Sequence, residues 1–227
     1  MPEIVKEINT PYNLDFELNE EGRDFFVGDI HGMYDEFIEE LVRVDFHPDI
    51  DRVFSVGDLI DRGPKSPESL NLLTHTWFHA VRGNHEELML GSHGWHVHQM
   101  NGGSWTNAFD SDDLYFLKRL ILKTMPFTMT VNTNRGKVGV VHAESAKIWK
   151  HNSLLTKELN TWARTLIKYP SKRYTVEGVD LVVVGHTPTT KVVRFTNHVY
   201  IDTGACFKEG YLTLLSVEEL FVGEQYE

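Results

Sequence analysis

From Phe25 onward the chain alternates short apolar runs with stretches of helical period. The runs are Phe25-Phe26-Val27, Val53-Phe54-Ser55-Val56, Phe78-His79-Ala80-Val81, Val138-Gly139-Val140-Val141 and Leu181-Val182-Val183-Val184. Each is about four residues of mainly β-branched or aromatic side chains, which predicts strands buried on both faces. Between the first two, Phe37, Ile38, Leu41 and Val42 recur at helical spacing with acids on the opposite face. Ser66-Pro67 reads as an N-cap followed by proline at the first helical position, ahead of Leu70, Leu72 and Leu73. Ser153 reads as the cap of another helix, with Leu155, Leu159, Trp162 and Leu166 on one stripe and Pro170 ending it. Val199-Tyr200-Ile201 and Tyr211 to Leu215 read as a hairpin-like return. Residues 1–24 are polar and punctuated by Pro11 and Asn19-Glu20-Glu21-Gly22, which predicts an N-terminal arm or edge hairpin on a single domain spanning 1–227. The pattern is that of an α/β chain.

Composition narrows the setting. With 227 residues, 41% of them hydrophobic and 24% charged, the chain has the make-up of one medium globular domain. No apolar run approaches the ~18 residues of a membrane span. The start, Met1-Pro2-Glu3-Ile4, lacks the basic-then-apolar pattern of a secretory leader, and the one cysteine, Cys206, has no partner for a disulfide. Both features predict a cytoplasmic protein. Thirty-three acidic against 22 basic residues, a formal charge of −11, disfavour broad binding to nucleic acid or an acidic membrane. Oligomeric state leaves no trace in the pattern.

The residues just past each apolar run carry the chemistry. The first run leads into Gly28-Asp29-Ile30-His31-Gly32 and the second into Gly57-Asp58-Leu59-Ile60-Asp61-Arg62-Gly63. The third leads into Arg82-Gly83-Asn84-His85-Glu86, the fourth into His142-Ala143-Glu144, and the fifth into Gly185-His186-Thr187-Pro188. Five strands thus deliver Asp, His or Asn at their carboxyl ends, where ligands gather in open α/β sheets. Any single Asp-Gly makes a turn as readily as a site; five in series do not share that explanation. Carboxylates, imidazoles and a carboxamide suit Mn²⁺, Fe²⁺ or Zn²⁺ rather than calcium or magnesium, which favour all-oxygen shells. Asp29, His31, Asp58, Asn84, His142 and His186 are too many for one catalytic ion and enough for two sharing a carboxylate.

These motifs, with Asn101-Gly102-Gly103 and Tyr200 through Ala205, resemble the signatures of the phosphoprotein phosphatase (PPP) family of metallophosphoesterases, and within it the small bacteriophage and bacterial serine/threonine phosphatases of the lambda type. The resemblance runs from about residue 25 to 215. It implies the calcineurin-like metallophosphoesterase fold, α/β (α+β), with two packed mixed β-sheets flanked by helices. It implies two divalent ions, manganese being the usual activator, with iron, zinc, cobalt or nickel also accepted. Asp29, His31 and Asp58 would hold the first ion and Asp58, Asn84, His142 and His186 the second. Water between them would attack phosphorus directly. His85 resembles the general acid, with Asp61 hydrogen-bonded to it, and Arg62 resembles the phosphate clamp. Arg164, in Trp162-Ala163-Arg164, resembles a second phosphate-binding arginine, although on the helix expected above it points away from the core, as a solvated arginine does. Arg82 fits a supporting role at the site or a salt bridge to a neighbouring acid.

The implied substrates are phosphoserine and phosphothreonine in proteins or peptides, with small aryl phosphates alongside. Symmetrical dinucleoside tetraphosphate hydrolases share the metal chemistry, but typically lack the counterpart of Asp61 and carry aspartate in place of Glu86. Phosphodiesterases of the wider superfamily usually end the last motif in Gly-His-X-His, where this chain has Pro188. That leaves the first ion three protein ligands. An inactive, phospho-binding descendant is the third reading, and no ligand is missing to support it. Glu144 departs from the lambda-type aspartate and is expected at the rim. Ser92-His93-Gly94-Trp95-His96-Val97-His98 reads as an exposed loop beside the cleft, and Leu88-Met89-Leu90 as core.

Overall fold

The computed structural model describes residues 11–222. Ten strands form two sheets. The first, four-stranded, has the order β10-β2-β3-β4, with β2 (Asp24–Val27), β3 (Arg52–Ser55) and β4 (Phe78–Ala80) parallel and β10 (Leu214–Ser216) antiparallel to β2. The second, six-stranded, has the order β1-β5-β6-β7-β9-β8, built from β1 (Asn13–Phe16), β5 (Thr128–Thr133), β6 (Gly136–Val141), β7 (Leu181–Val184), β8 (Val193–Phe195) and β9 (His198–Tyr200). Its β6, β7 and β9 are mutually parallel.

The apolar runs are continuous because both faces of each strand are covered. Along β2, Phe25 and Val27 pack under α1 (Tyr34–Arg43), α2 (Ser66–Asn71) and α5 (Ser111–Thr124), with Phe37, Leu41, Leu70 and Ile121. Phe26, between them, faces the other sheet and packs with Phe54, Val56, Met129, Val140 and Val183. On β7 the alternation repeats: Val183 lies between the sheets, and Val182 and Val184 face outward onto Trp149, Leu166 and Tyr200. Side chains one apart point to opposite faces of a strand, so a period of two inside an all-apolar run builds three cores at once. Every completely buried large side chain here contributes about 1.5–3 kcal/mol of transfer free energy.

The strand ends and the helix over Phe37 to Leu41 stand where the pattern puts them, although Val42 is 75% exposed on the solvent side of α1. Other expectations need correction. Ser66 does not cap α2: the helix begins at Ser66, Lys65 is the flanking residue, and the Ser66 hydroxyl accepts the Asp61 N–H at 2.9 Å. The helix expected from Ser153 to Pro170 is broken. Ser153 begins a single 3-10 turn, α6 (Lys157–Trp162) follows, Ala163 is extended, and α7 (Thr165–Lys168) starts afresh. Leu155 is accordingly 98% exposed, while Leu166 is buried from the second helix. The late hairpin is not one: Val199 and Tyr200 belong to the six-stranded sheet, Leu214 and Leu215 to the four-stranded one, and β9 pairs antiparallel with β8 instead. Of the N-terminal arm, residues 1–10 lie outside the described residues; Asn13–Phe16 is a parallel edge strand on β5, and Asp24 is buried on Arg52 at 2.8 Å. Two short helices, α3 (Asn84–Leu90) and α4 (Trp95–Met100), follow β4, and α8 (Val217–Val222) follows β10. Among the described residues no helix is long and apolar enough to cross a membrane.

Candidate active site

The parallel strands of both sheets point their carboxyl ends at one place. Asp29 and His31 follow β2, Asp58 to Arg62 follow β3, Asn84 and His85 open α3 after β4, His142 follows β6, and His186 follows β7. Asp58 lies at the centre: its Oδ2 is 3.6 Å from His31 Nε2, 3.4 Å from His142 Nε2 and 4.0 Å from His85 Nε2, and its Oδ1 accepts the His85 N–H at 2.9 Å. Asn84 Oδ1 sits 2.9 Å from His142 Nε2 and 2.8 Å from His186 Nδ1. Asp29 accepts the His186 N–H at 3.1 and 3.2 Å through its two oxygens. His31, Asp58 and His85 form one group able to hold an ion, and Asp58, His142 and His186 another. Asp58 is common to both.

The donor set fits cations on its own chemistry. Three of the four histidines commit one nitrogen to a backbone carbonyl: His31 Nδ1 to Ile60, His142 Nδ1 to Val56, both at 2.8 Å, and His186 Nε2 to Trp162 at 3.1 Å. That fixes each ring and turns its other nitrogen inward. Burial pushes His31 down to about 3 and His186 down to about 2, so both present lone pairs at neutral pH. Burial, with the charges of Asp202 and Asp58, holds Asp29 well above the usual carboxylate range. Burial would also raise Asp58, but His142, His85 and His31 outweigh it and keep that carboxylate ionised. Burial would lower His142, but the Asp58 charge and hydrogen bond outweigh it and hold that imidazole above its usual value. A divalent ion here would take the place of the protons that Asp29 and His142 hold.

Glu86 ties the frame together. Its carboxylate accepts from the backbone N–H groups of Gly83, Asp58 and Leu59 at 2.8, 3.1 and 2.8 Å, lashing the loop after β3 to the first turn of α3. Burial and the neighbouring Asp58 charge push it up to about 7. Gly83 is required beside it, since a Cβ there would stand 2.1 Å from Asp58 Oδ1.

Beside the carboxylate centre, His85 donates through Nδ1 to Asp61 Oδ2 at 2.7 Å, and both side chains are fully buried. Arg62 spreads its guanidinium between the two imidazoles, Nη1 at 2.7 Å from His31 Nε2 and Nη2 at 2.9 Å from His85 Nε2. An ion held by His31 Nε2 would take the place of the first of these bonds. The break in the helix at Ala163 changes Arg164: instead of pointing away, it reaches the site and donates from Nη2 to the His186 carbonyl at 3.3 Å. Glu144 is not at the rim. It is buried, and its Oε1 accepts the Leu166 N–H at 2.6 Å, capping the helix that begins just after Arg164. The structure does not bring Arg82 to the centre. Its side chain is buried against Glu87 at 3.0 Å and the Met125 carbonyl at 3.1 Å, over the Phe127 ring, and Lys157 closes on the same glutamate.

Three further residues, assigned no role by the motifs above, stand here. Asp202, after β9, is a buried carboxylate raised to about 6 by burial and by Asp58, with its Oδ1 accepting the Gly204 N–H. His98 and Trp105 reach Asp61 Oδ1 at 3.1 and 2.7 Å. The segment around His98 is therefore only partly the exposed loop expected: His93 and His96 are exposed, and His98 is fully buried on α4. Asp202 was visible as an acid two residues before a glycine after an apolar run; His98 stood out only as one of three histidines in a stretch read as an exposed loop, and nothing marked Trp105.

Residues 25–190 match the calcineurin-like phosphoesterase family. The chain is 35% identical over 203 residues to serine/threonine-protein phosphatase 1 of Salmonella typhimurium, covering 85% of this chain and 90% of that protein. It is 28% identical over 205 residues to the symmetrical bis(5'-nucleosyl)-tetraphosphatase of Baumannia cicadellinicola, covering 84% of this chain and 67% of that one. A crystal structure of a candidate diadenosine tetraphosphatase superposes with a TM-score of 0.67 at 20% identity, covering 92% of this chain and 94% of that one, a likeness of fold. Matched along most of its length and carrying buried His/Asp metal groups at the strand ends, the chain belongs to the calcineurin-like phosphoesterase family.

Proposed function

We propose that the protein is a metal-dependent serine/threonine protein phosphatase that cleaves phosphomonoesters of phosphoproteins and phosphopeptides, and small aryl phosphates alongside. The observation that carries this reading is the His85–Asp61 pair at 2.7 Å, set beside two metal-capable groups that share Asp58. Asp29, His31 and Asp58 would hold one divalent ion and Asp58, Asn84, His142 and His186 the other, with manganese the expected occupant and iron, zinc, cobalt or nickel able to substitute. When bound, these ions supply charge to neutralise the phosphoryl oxygens and acidity for the attacking water.

The remaining work falls to the chain's own side chains. Arg62 and Arg164 present guanidinium forks to phosphoryl oxygens from two sides of the cleft. With Arg62 drawn from His85 Nε2 onto a phosphoryl oxygen, that nitrogen is free to carry a proton, which His85 delivers to the departing seryl or threonyl oxygen, whose high pKa makes that proton necessary. Asp61 on Nδ1 holds the ring in that orientation. The same reading takes residues 1–227 as one catalytic domain at work in the cytoplasm, with Arg82 bracing α3 from outside the centre.

Symmetrical dinucleoside tetraphosphate hydrolysis is the second reading, favoured by the relatives that carry that name. Asp61, bonded to His85, and Glu86, lashing Asp58 to α3, favour the phosphatase. The test is phosphate release from a phosphoserine peptide by metal-stripped protein, with and without Mn²⁺, beside diadenosine tetraphosphate. Manganese-dependent release from the peptide with slow nucleotide cleavage is expected. Rapid nucleotide cleavage with an inert peptide would overturn the reading, and inertness toward both with Mn²⁺ bound would leave a phospho-binding protein.

A further inference from the structure

Asp61 has two oxygens, and the proposed reaction accounts for one. Oδ2 takes the proton of His85 Nδ1. Oδ1 receives two more donors, Trp105 Nε1 at 2.7 Å and His98 Nε2 at 3.1 Å. Both come from one segment, Trp95 to Ala108, far along the chain from Asp61; that segment meets the site at Gly102 and packs on its own His98 at Gly103. Gly102, at φ +104°, passes so close that a Cβ would stand 2.6 Å from the Arg62 nitrogen, and a Cβ on Gly103 would lie 2.4–2.5 Å from the His98 ring. His98 is completely buried, and its Nδ1 has no hydrogen-bond partner, which leaves the ring proton on Nε2, aimed at Asp61. Burying a polar ring with one nitrogen idle is unfavourable, so the bond made by the other nitrogen calls for a reason.

A carboxylate turns easily about its last bond, because that torsion is broad and two-fold. With a single donor on one oxygen, the group could rotate and drag the imidazole off line. Two N–H groups on Oδ1 remove that freedom. We propose that His98 and Trp105 are positioning residues for the general acid: they clamp Asp61 so that Oδ2 stays on His85 Nδ1 and Nε2 stays directed at the leaving oxygen. This rests on the reading of His85 as the acid.

A packing role and a positioning role separate by leaving group. An ester with a leaving group of high pKa, such as a phosphoserine peptide, needs the proton; 2,4-dinitrophenyl phosphate does not. His98→Ala is expected to lower kcat on the peptide by roughly tenfold, as a displaced catalytic group does, and to leave the dinitrophenyl ester within about twofold. His98→Gln, which keeps an N–H at similar reach, restores most of the loss. Trp105→Phe, which keeps the ring and removes the donor, gives the same selective loss should His98→Ala fold poorly. In a His85→Asn background, adding either change costs nothing further. Equal losses on both esters, or full additivity with His85→Asn, would overturn the proposal and leave packing as the role of both residues. If His85→Asn itself spares the peptide relative to the dinitrophenyl ester, the acid assignment falls and the proposal with it; selective loss in His85→Asn but not in the His98 and Trp105 variants overturns the clamp alone.

Discussion

Gly185 is neither a ligand nor a turn, yet the geometry predicts that Gly185→Ala dismantles the metal centre. The residue follows β7, between Val184 and the proposed ligand His186, with no positive φ to strain an alanine. A Cβ there would stand 2.0 Å from Asp29 Oδ1 and 2.5 Å from Val56 Cγ2. Real Cβ contacts do not fall below 3.0 Å, so the Asp29 carboxylate must retreat by about 1 Å or β7 must shift. Either movement breaks the bonds from the His186 N–H to Asp29, loosening a second ligand. Overpacking of this kind costs about 1–3 kcal/mol, a drop in Tm of roughly 2–12 °C for a chain of this length. The functional loss is larger: a catalytic group misplaced by ~1 Å costs on the order of 10²-fold, and a disturbed ligand support weakens metal by about 10–100-fold. Calorimetric titration of metal-stripped protein with Mn²⁺ and hydrolysis of an aryl phosphate read the two effects. Gly91→Ala is the control, because that glycine caps α3 at φ +96° with nothing within 4 Å of the added carbon. It should lose about 1–2 kcal/mol of stability and keep wild-type metal affinity. Two ions bound by Gly185→Ala with wild-type affinity and turnover would refute the reasoning.

Two further predictions address the arginine arm and the acid limb of stability. Glu144→Ala removes the acceptor of the Leu166 N–H that starts α7, so it should raise KM for a phosphopeptide about as much as Arg164→Ala, some 5–10-fold if the arginine contributes about 1 kcal/mol or slightly more to binding; in the double variant the effects should not add, and additivity in the steady-state constants would sink the link. His198 is buried among Phe195, Tyr174 and Tyr200 with its Nε2 unpartnered, and burial pushes it down to about 4. Its folded pKa thus lies below the unfolded value of about 6.5, so the unfolded chain takes up the proton first; the stabilisation is complete above that pH and is lost as pH falls toward 4, up to about 3 kcal/mol. Denaturant unfolding between pH 8 and 4 should show a shallower acid decline in His198→Phe than in the wild type, and parallel curves would refute the assignment.

How far the sequence spoke depended on whether a residue's role was set by its neighbours in the chain or by distant ones. The segments proposed to carry the ligands were legible because each follows its own strand, and the carboxyl ends of parallel strands from both sheets converge on one place. The break at Ala163 was illegible because the stripe Leu155, Leu159, Trp162, Leu166 satisfies a helical period whether or not the helix is continuous. What interrupts it is tertiary: Glu144, across the chain, caps a new helix at Leu166, and the buried Asn160 side chain donates to the Glu144 carbonyl at 2.7 Å. The expected helix turned Arg164 away from the site for that reason alone, although the motif resemblance had placed it there. Likewise Ser66 has every local mark of an N-cap, and loses the role only because the Asp61 N–H claims its hydroxyl. His98 lay in a histidine- and glycine-rich stretch with no periodicity, and its partner is 37 residues away.

Backbone strain draws the same boundary. Among the described residues seven besides glycine have positive φ, and five of them are His31, Asp58, Asp61, Arg62 and His186. Aspartate and histidine enter that region more readily than most residues, so four of the five are chosen types; Arg62 is not, and it follows Asp61 in the same conformation. Each such residue costs on the order of 1–3 kcal/mol, and five together rival the ~5–15 kcal/mol net stability of an entire domain. The surroundings must therefore over-determine the loop after β3. They do so with Glu86 on the N–H groups of Asp58 and Leu59, Ser66 on that of Asp61, and Gly102 pressed against Arg62. That loop carries the proposed shared ligand, the proposed partner of the acid and the proposed phosphate clamp within five residues. It is held by groups that make no contact with substrate in the proposed reaction, which is why substitutions at Gly83, Gly102 or Gly185 should be felt at the metal centre before they are felt in the fold.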